Sequence, residues 1–276
     1  MRTESDLVKL VNASGFPLQL AVEREVGRAP GWRIQHREHA WTKGTTSGFA
    51  DLIAENDHNT VAIFECKRVR ESDWVFIVPE NSSQVLDSRI YVIYTESPMR
   101  SFTGFFDART GPEGYEADYC VMVGDDAKSR PLLERTAAEV TIASEAIALE
   151  EFKHRLQPTG YGYRSYIPVI VTTARLSVCA VDEEAIDLSA GEIGPSHASI
   201  KEVPWVRFRK QFTDDIAVTT KDIAWDARAI SKAKEKVVYV VNSIHLKTFL
   251  CDWKVYGADV RRVTSMLPRN KGDGVN

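Results

Sequence analysis

The chain has 276 residues, 43% of them hydrophobic, which is enough for one large domain or two small ones around a sizeable core. A formal net charge of −4 excludes a uniformly basic coat for polyanions, so contact with nucleic acid has to come from a local patch or from bound cations. Cys66, Cys120, Cys179 and Cys251 stand singly with no CxxC pair, which argues against a zinc site or a disulfide framework and for reduced, mostly buried thiols. The start, MRTESDLVKLV, lacks an apolar leader core and no apolar run reaches the ~18 residues of a membrane span, so a soluble, cytoplasmic protein with no membrane partner is expected.

In chain order, Leu7, Leu10 and Val11 fall on one helical face after Ser5 as a candidate cap, and Gly15 with Pro17 break the run. A second helix is predicted over residues 17–26, with Leu18, Val22 and Val26 about one turn apart and Pro17 in the tolerated first turn. Gln19 and Glu23, four apart, share a face of it. From Trp32 the period falls to two: WRIQHREH reads as a strand, followed by the polar connection TKGTTSG. Three residues apart on that strand, His36 and His39 are expected on opposite faces, which argues against a shared metal. Residues 49–54 and 60–67 read as a hairpin around NDHN.

Further on, SRIYVIYTE reads as a strand, residues 134–156 as a helix, and QPTGYGYRSY as a loop leading into PVIVTTARLSVCAV, a buried strand with an extension or turn. After a turn-prone segment at 191–199, PWVRFRKQF alternates apolar and basic positions, and a helix is predicted near residues 222–234. VVYVV is a short apolar strand, SIHLKTFLCDW a last helix, and LPRNKGDGVN a frayed tail. With no internal repeat and no clean linker, the expected organisation is a single α/β domain over residues 1–276.

The stretch GFADLIAENDHNTVAIFECKR places charges where a core would be expected. On the second strand Val61, Ile63, Glu65 and Lys67 share one face and Ala62, Phe64 and Cys66 the other, so the strand is apolar on both faces until residue 65. Folding at NDHN brings Asp51 close to the position opposite Glu65. Two carboxylates that close repel one another unless a cation lies between them. Mg²⁺ or Mn²⁺ fits, because such ions take oxygen ligands and need only one or two carboxylates from the protein. Asp51 and Glu65 supply these, the backbone carbonyl of Cys66 offers a third oxygen, and Lys67 is placed to orient an attacking water and to stabilise charge on phosphoryl oxygens. A surface hairpin with a cross-strand salt bridge is the plainer alternative.

GFAD followed by VAIFECK resembles the PD-(D/E)xK nuclease superfamily, in which an Asp on one strand and a Glu-x-Lys on the next form the metal site. The motif's proline is replaced by Ala50. The likeness extends through SGFPLQLAVEREV, GWRI and DWVF, and covers residues 14–76. It implies a restriction-endonuclease-like α/β core, a central mixed β-sheet flanked by helices, with motifs in residues 14–95 and an α/β elaboration for recognition or dimerisation in 96–276. It further implies Asp51, Glu65 and Lys67 as catalytic residues and DNA as the substrate. The glutamate that relatives carry on the first helix corresponds to Gln19, with Glu23 one turn later as a substitute metal ligand, and Gln84 stands where relatives place a polar helix residue.

Arg68 and Arg70 beside the site, and Arg207, Arg209 and Lys210 in PWVRFRKQF, are candidate phosphate contacts, against the plainer reading of a solvated face. Trp74 and Trp205 are candidate base-stacking residues, with a core role as the alternative. Motifs for other chemistries are missing: there is no GxxxxGK[ST], GxSxG or HExxH. The functional expectation is a metal-dependent DNA endonuclease, possible as a homodimer; the rival is an inactive module of the same family that binds nucleic acid or a protein in a defence or repair complex.

Overall fold

The computed structural model describes residues 3–69, 72–97, 100–122, 131–155, 162–213 and 227–257. The predicted tail LPRNKGDGVN, the start of the QPTGYGYRSY loop and the first turn of the helix predicted near 222–234 lie outside them.

The chain begins with α1 (Glu4–Ala13) and α2 (Phe16–Arg28). Thr3, not Ser5, caps α1: its side chain accepts from the Asp6 N–H while the Asp6 carboxylate accepts from the Thr3 N–H. An antiparallel meander follows, made of β1 (Trp32–Lys43), β2 (Thr46–Asn56) and β3 (Thr60–Lys67). Asn56 makes its second turn by accepting from the N–H groups of His58 and Thr60. Leu18, Val22 and Val26 of α2 pack on the meander face that carries Leu52, Ala54, Ala62 and Phe64.

The opposite face carries Ile53, Val61 and Ile63 and receives α3 (Leu132–Arg155), whose buried residues include Ala137, Ala143, Ala146 and Ala148. Small side chains let the helix axis approach the sheet closely. β8 (Gly162–Thr172) then returns parallel to β3, in register from Thr60 opposite Ser165 to Lys67 opposite Thr172.

Between β3 and α3 lie β4 (Asp73–Pro79), β5 (Val85–Ser97), β6 (Arg100–Ala117) and β7 (Tyr119–Met122). After β8 come β9 (Arg175–Val181), β10 (Ala198–Glu202), β11 (Trp205–Lys210), α4 (Ala227–Lys234), β12 (Lys236–Asn242), α5 (Leu246–Asp252) and β13 (Lys254–Val255). β10, β9, β4 and β7 form a separate four-stranded sheet. The parallel pair β3/β8 breaks after Lys67 and Thr172 and re-forms in that second sheet as the parallel pair β4/β9.

One edge of β8 pairs with β3. The other is divided, with Gly162–Tyr166 against β5 and Val169–Thr172 against β12. Since β12 pairs with β11, β11 with β6 and β6 with β5, the pairings return to their start and close a five-stranded barrel. The described residues are mostly β, 51% in strands against 32% in helices, and this closure overturns the expected restriction-endonuclease-like, helix-flanked sheet. The physical reason lies in β6, β11 and β12, within the stretch 96–276 expected as an elaboration outside the core: together with β5 they link the two parts of one β8 edge and make a barrel of it.

None of the four cysteines is fully buried, and Cys251 is exposed, against the expectation of mostly buried thiols. Among the described residues no helix is long and apolar enough to cross a membrane.

Candidate active site

The β2/β3 ladder ends at Leu52 opposite Phe64, which leaves Asp51 as the next residue along, at the position facing Glu65. β3 is buried from Thr60 to Phe64 and half-buried from Glu65 to Lys67, so its charges emerge where the ladder stops. Asp51 Oδ2 accepts from the Cys66 N–H at 2.7 Å. In a strand the N–H and C=O of one residue point to the same edge, so the Cys66 carbonyl faces the Asp51 side as well. Lys67 Nζ donates to Glu65 Oε1 at 2.7 Å. The structure thus brings Asp51, Glu65, Cys66 and Lys67 into one cluster.

Electrostatics follow from this crowding. Burial raises the Asp51 pKa against the pull of the Cys66 N–H and the Lys67 ammonium, and the Glu38 carboxylate raises it further. Burial, then the facing Asp51 charge, pushes Glu65 from 4.5 up to about 7. Burial alone would lower Lys67, but Glu65 and Asp51 outweigh it and the ammonium is favoured. Burial also raises the Cys66 thiol far above its ordinary range, so it stays protonated.

Two acidic neighbours escaped the sequence reading. The register that sets Arg37 opposite Leu52 and His39 opposite Ala50 places Glu38 opposite Asp51, and Glu38 has a left-handed backbone, φ 47°. A left-handed residue interrupts the alternation of the pleat. Residues three apart therefore come to one side: the His36 and His39 rings lie 5.2 Å apart, and both line a cavity shared with Ile147 and Glu150 of α3. The expectation that these histidines take opposite faces is corrected, because it assumed an unbroken pleat. The second neighbour, Glu139 of α3, acts electrostatically on both Glu65 and Lys67. Nothing in the helical pattern singles it out.

Gln19 and Glu23 part company. Gln19 Nε2 donates to the Asp51 carbonyl oxygen at 3.0 Å and to the Glu38 carboxylate. Glu23, expected as a metal ligand, is ion-paired with Arg37 of β1 and so is turned to a different partner. Gln84, expected on a helix beside the site, is exposed on the connection between β4 and β5, which contains no helix.

The candidate phosphate contacts also divide. Arg68 is exposed directly after Lys67, and Arg70 lies outside the described residues. Arg207 is corrected to an interior residue: it is fully buried and donates to the carbonyls of Thr110 and Pro112. Arg209 is paired with Glu116 at 2.7 Å, and Lys210 with Glu134, so neither presents an open charge. The apolar and basic alternation of PWVRFRKQF is the period of β11, whose Arg207 and Arg209 turn to buried carbonyls and to a carboxylate and not to solvent. Trp74 is a core residue, and Trp205 donates its indole N–H to the Glu113 carbonyl at 2.7 Å.

Among the described residues no group of three or more His, Cys, Asp and Glu side chains is arranged to hold a metal. A hard divalent cation needs less from the protein, one or two carboxylates completed by water and substrate oxygen. The half-buried Asp51 and Glu65 fit that need, since burial and then a neighbouring carboxylate favour the acid form of each, and a cation would offset the charge. No family model, no curated protein and no solved structure matches the chain.

Proposed function

We propose that this protein is a metal-dependent phosphodiesterase acting on nucleic acid, with Asp51, Glu65 and Lys67 as its catalytic residues. One observation carries the reading: two half-buried carboxylates meet at the end of a ladder with a lysine 2.7 Å from one of them. That combination has no structural need behind it, since buried charges cost stability unless paired and the site holds more acid than base. Local resemblance of GFAD and VAIFECK to the PD-(D/E)xK superfamily supports the same chemistry, independently of the overall architecture, and favours DNA as substrate.

Asp51 and Glu65, with the Cys66 carbonyl, would hold Mg²⁺ or Mn²⁺. Such an ion supplies Lewis-acid stabilisation of a phosphoryl oxygen and a lowered pKa for water. Lys67 contributes an ammonium fixed by Glu65, positioned to orient the attacking water and to offset charge as it builds on the phosphate. Gln19 anchors the Asp51 peptide, which keeps its carboxylate at the end of the ladder. Exposed Arg68 is available to the phosphate backbone. A cytoplasmic location belongs to the same reading.

The test is cleavage of supercoiled, linear and single-stranded DNA and of RNA with Mg²⁺, Mn²⁺ or EDTA. Lys67→Ala and Asp51→Ala should each lower metal-dependent cutting by about 10²-fold or more while the protein stays folded. Absence of cutting by the wild type on every substrate, together with no heat of Mg²⁺ or Mn²⁺ binding, would overturn the proposal and leave a binding module as the better account.

A further inference from the structure

A cavity of about 270 Å³ adjoins Glu65, enclosed by β1, β2, β3 and α3. Its apolar wall comes from Trp41, Ile63, Val140, Ile142 and Ala143, and its polar groups include the Glu65 and Glu139 carboxylates. The wall depends on a glycine: a Cβ on Gly48 would lie 2.7 Å from Trp41 Cζ2, so only Gly48 lets the indole lie against β2. Trp41 is 6% exposed, and among the described residues its buried indole N–H has no acceptor. Polar pairing at this wall is incomplete as it stands.

We infer that this cavity is a nucleobase subsite of the hydrolytic centre and that it favours bases with an exocyclic amine, adenine, cytosine or guanine, over thymine or uracil. The inference rests on the phosphodiesterase reading and deepens it. Size is the first argument: the cavity is slightly smaller than the ~300 Å³ at which sites for drug-sized ligands begin, which suits one planar ring system. Continuity is the second, because Glu65 belongs to both the cavity and the catalytic cluster, so an occupant is held next to the reacting phosphate. Chemistry is the third. Ionised carboxylates only accept hydrogen bonds. Glu139, exposed at the rim on α3, rewards a base edge that presents an exocyclic N–H donor and disfavours thymine or uracil, whose single N3–H lies between two carbonyl oxygens that repel a carboxylate. Apolar side chains behind it accept the flat faces of the ring, as stacking surfaces do for unpaired bases.

The experiment titrates the protein in EDTA with dAMP, dCMP, dGMP and dTMP and follows the Trp41 indole N–H by NMR, assigned with Trp41→Phe. Saturable shifts are expected with the three amino-bearing nucleotides, with dTMP about tenfold weaker or more, the size of one hydrogen bond to a charged group. Ala143→Leu, which fills the cavity, should abolish the shifts. Glu139→Gln should remove the discrimination between bases while binding persists, because an amide both donates and accepts. That variant carries the test on its own where Ala143→Leu disturbs folding by circular dichroism. Equal shifts with all four nucleotides, or none up to the solubility limit, overturn the subsite. The two readings fail separately: metal-dependent cutting with no indole shift removes only the subsite, and selective shifts in a protein that cuts nothing remove only the hydrolysis.

Discussion

At Glu65, burial and the facing Asp51 carboxylate both favour the protonated acid and bring its pKa from 4.5 to about 7. In the unfolded chain the residue ionises near 4.5, so between these values the folded state holds a proton that the unfolded state has lost. Stability therefore falls as pH rises through this window, and above pH 7 the metal-free protein carries the full penalty, about 3 kcal/mol by linkage. Glu65→Gln removes the ionisable group. In EDTA it should raise the free energy of unfolding in urea by up to about 3 kcal/mol at pH 8 and far less at pH 5. An equal effect at both pH values would show that Glu65 is not held as an acid. Of this site, Asp51, Glu65 and Lys67 were legible in the sequence, because a short turn and a two-residue period determine which side chains meet across a hairpin. Glu38 and Glu139 were not: one arrives through a left-handed residue that interrupts the period, the other from a helix more than seventy residues along the chain.

At the scale of elements, the reversal at Glu38 decides what β1 presents to each layer. On one side it delivers Glu38 to Gln19 of α2, whose amide also donates to the Asp51 carbonyl. On the other it sets His36 and His39 together against α3, with His39 Nε2 3.6 Å from the Glu150 carboxylate. A left-handed conformation costs an L-residue roughly 1–2 kcal/mol, and a β-branched one more. Glu38→Val should therefore destabilise the protein by about 2 kcal/mol, whereas Glu38→Gly, which loses the Gln19 contact but relieves the backbone, should stay within about 1 kcal/mol of the wild type. Thermal unfolding of the pair distinguishes this account from one in which the side-chain contact dominates, since contact loss alone would make the two variants equal. Alternating residues in HREH announce a strand without announcing the break in it, which is why the histidines were assigned to opposite faces.

For the whole molecule, ring closure is the property that local pattern conceals. VVYVV and SRIYVIYTE read as strands from their composition, but that β5 and β12 divide one edge of β8 between them is a fact of long-range pairing. The residue that ties the ring is Arg207 on β11. Its Nη2 donates to the Thr110 and Pro112 carbonyls of β6, each at 2.6 Å, and its Nη1 to the Asp87 carbonyl of β5 at 3.2 Å. Its guanidinium lies 5.2 Å from the ring centroid of Tyr239 on β12, whose hydroxyl in turn bonds Ser88 at 2.6 Å and Thr110 at 2.8 Å. Four of the five barrel strands thus meet at one planar cation, and a lysine lacks the fork to replace it. Arg207→Met leaves these carbonyls buried without donors and should lower global stability by about 3 kcal/mol or more in urea unfolding. Because the group never reaches solvent, nucleic-acid affinity measured on the folded variant should keep its dependence on salt. Arg68→Ala, which removes an exposed cation beside Lys67, should instead flatten that dependence by roughly one counterion. Were Arg207→Met to flatten the slope while leaving stability intact, the barrel interior would have to open to the polyanion, and the interior role argued for this arginine would fall.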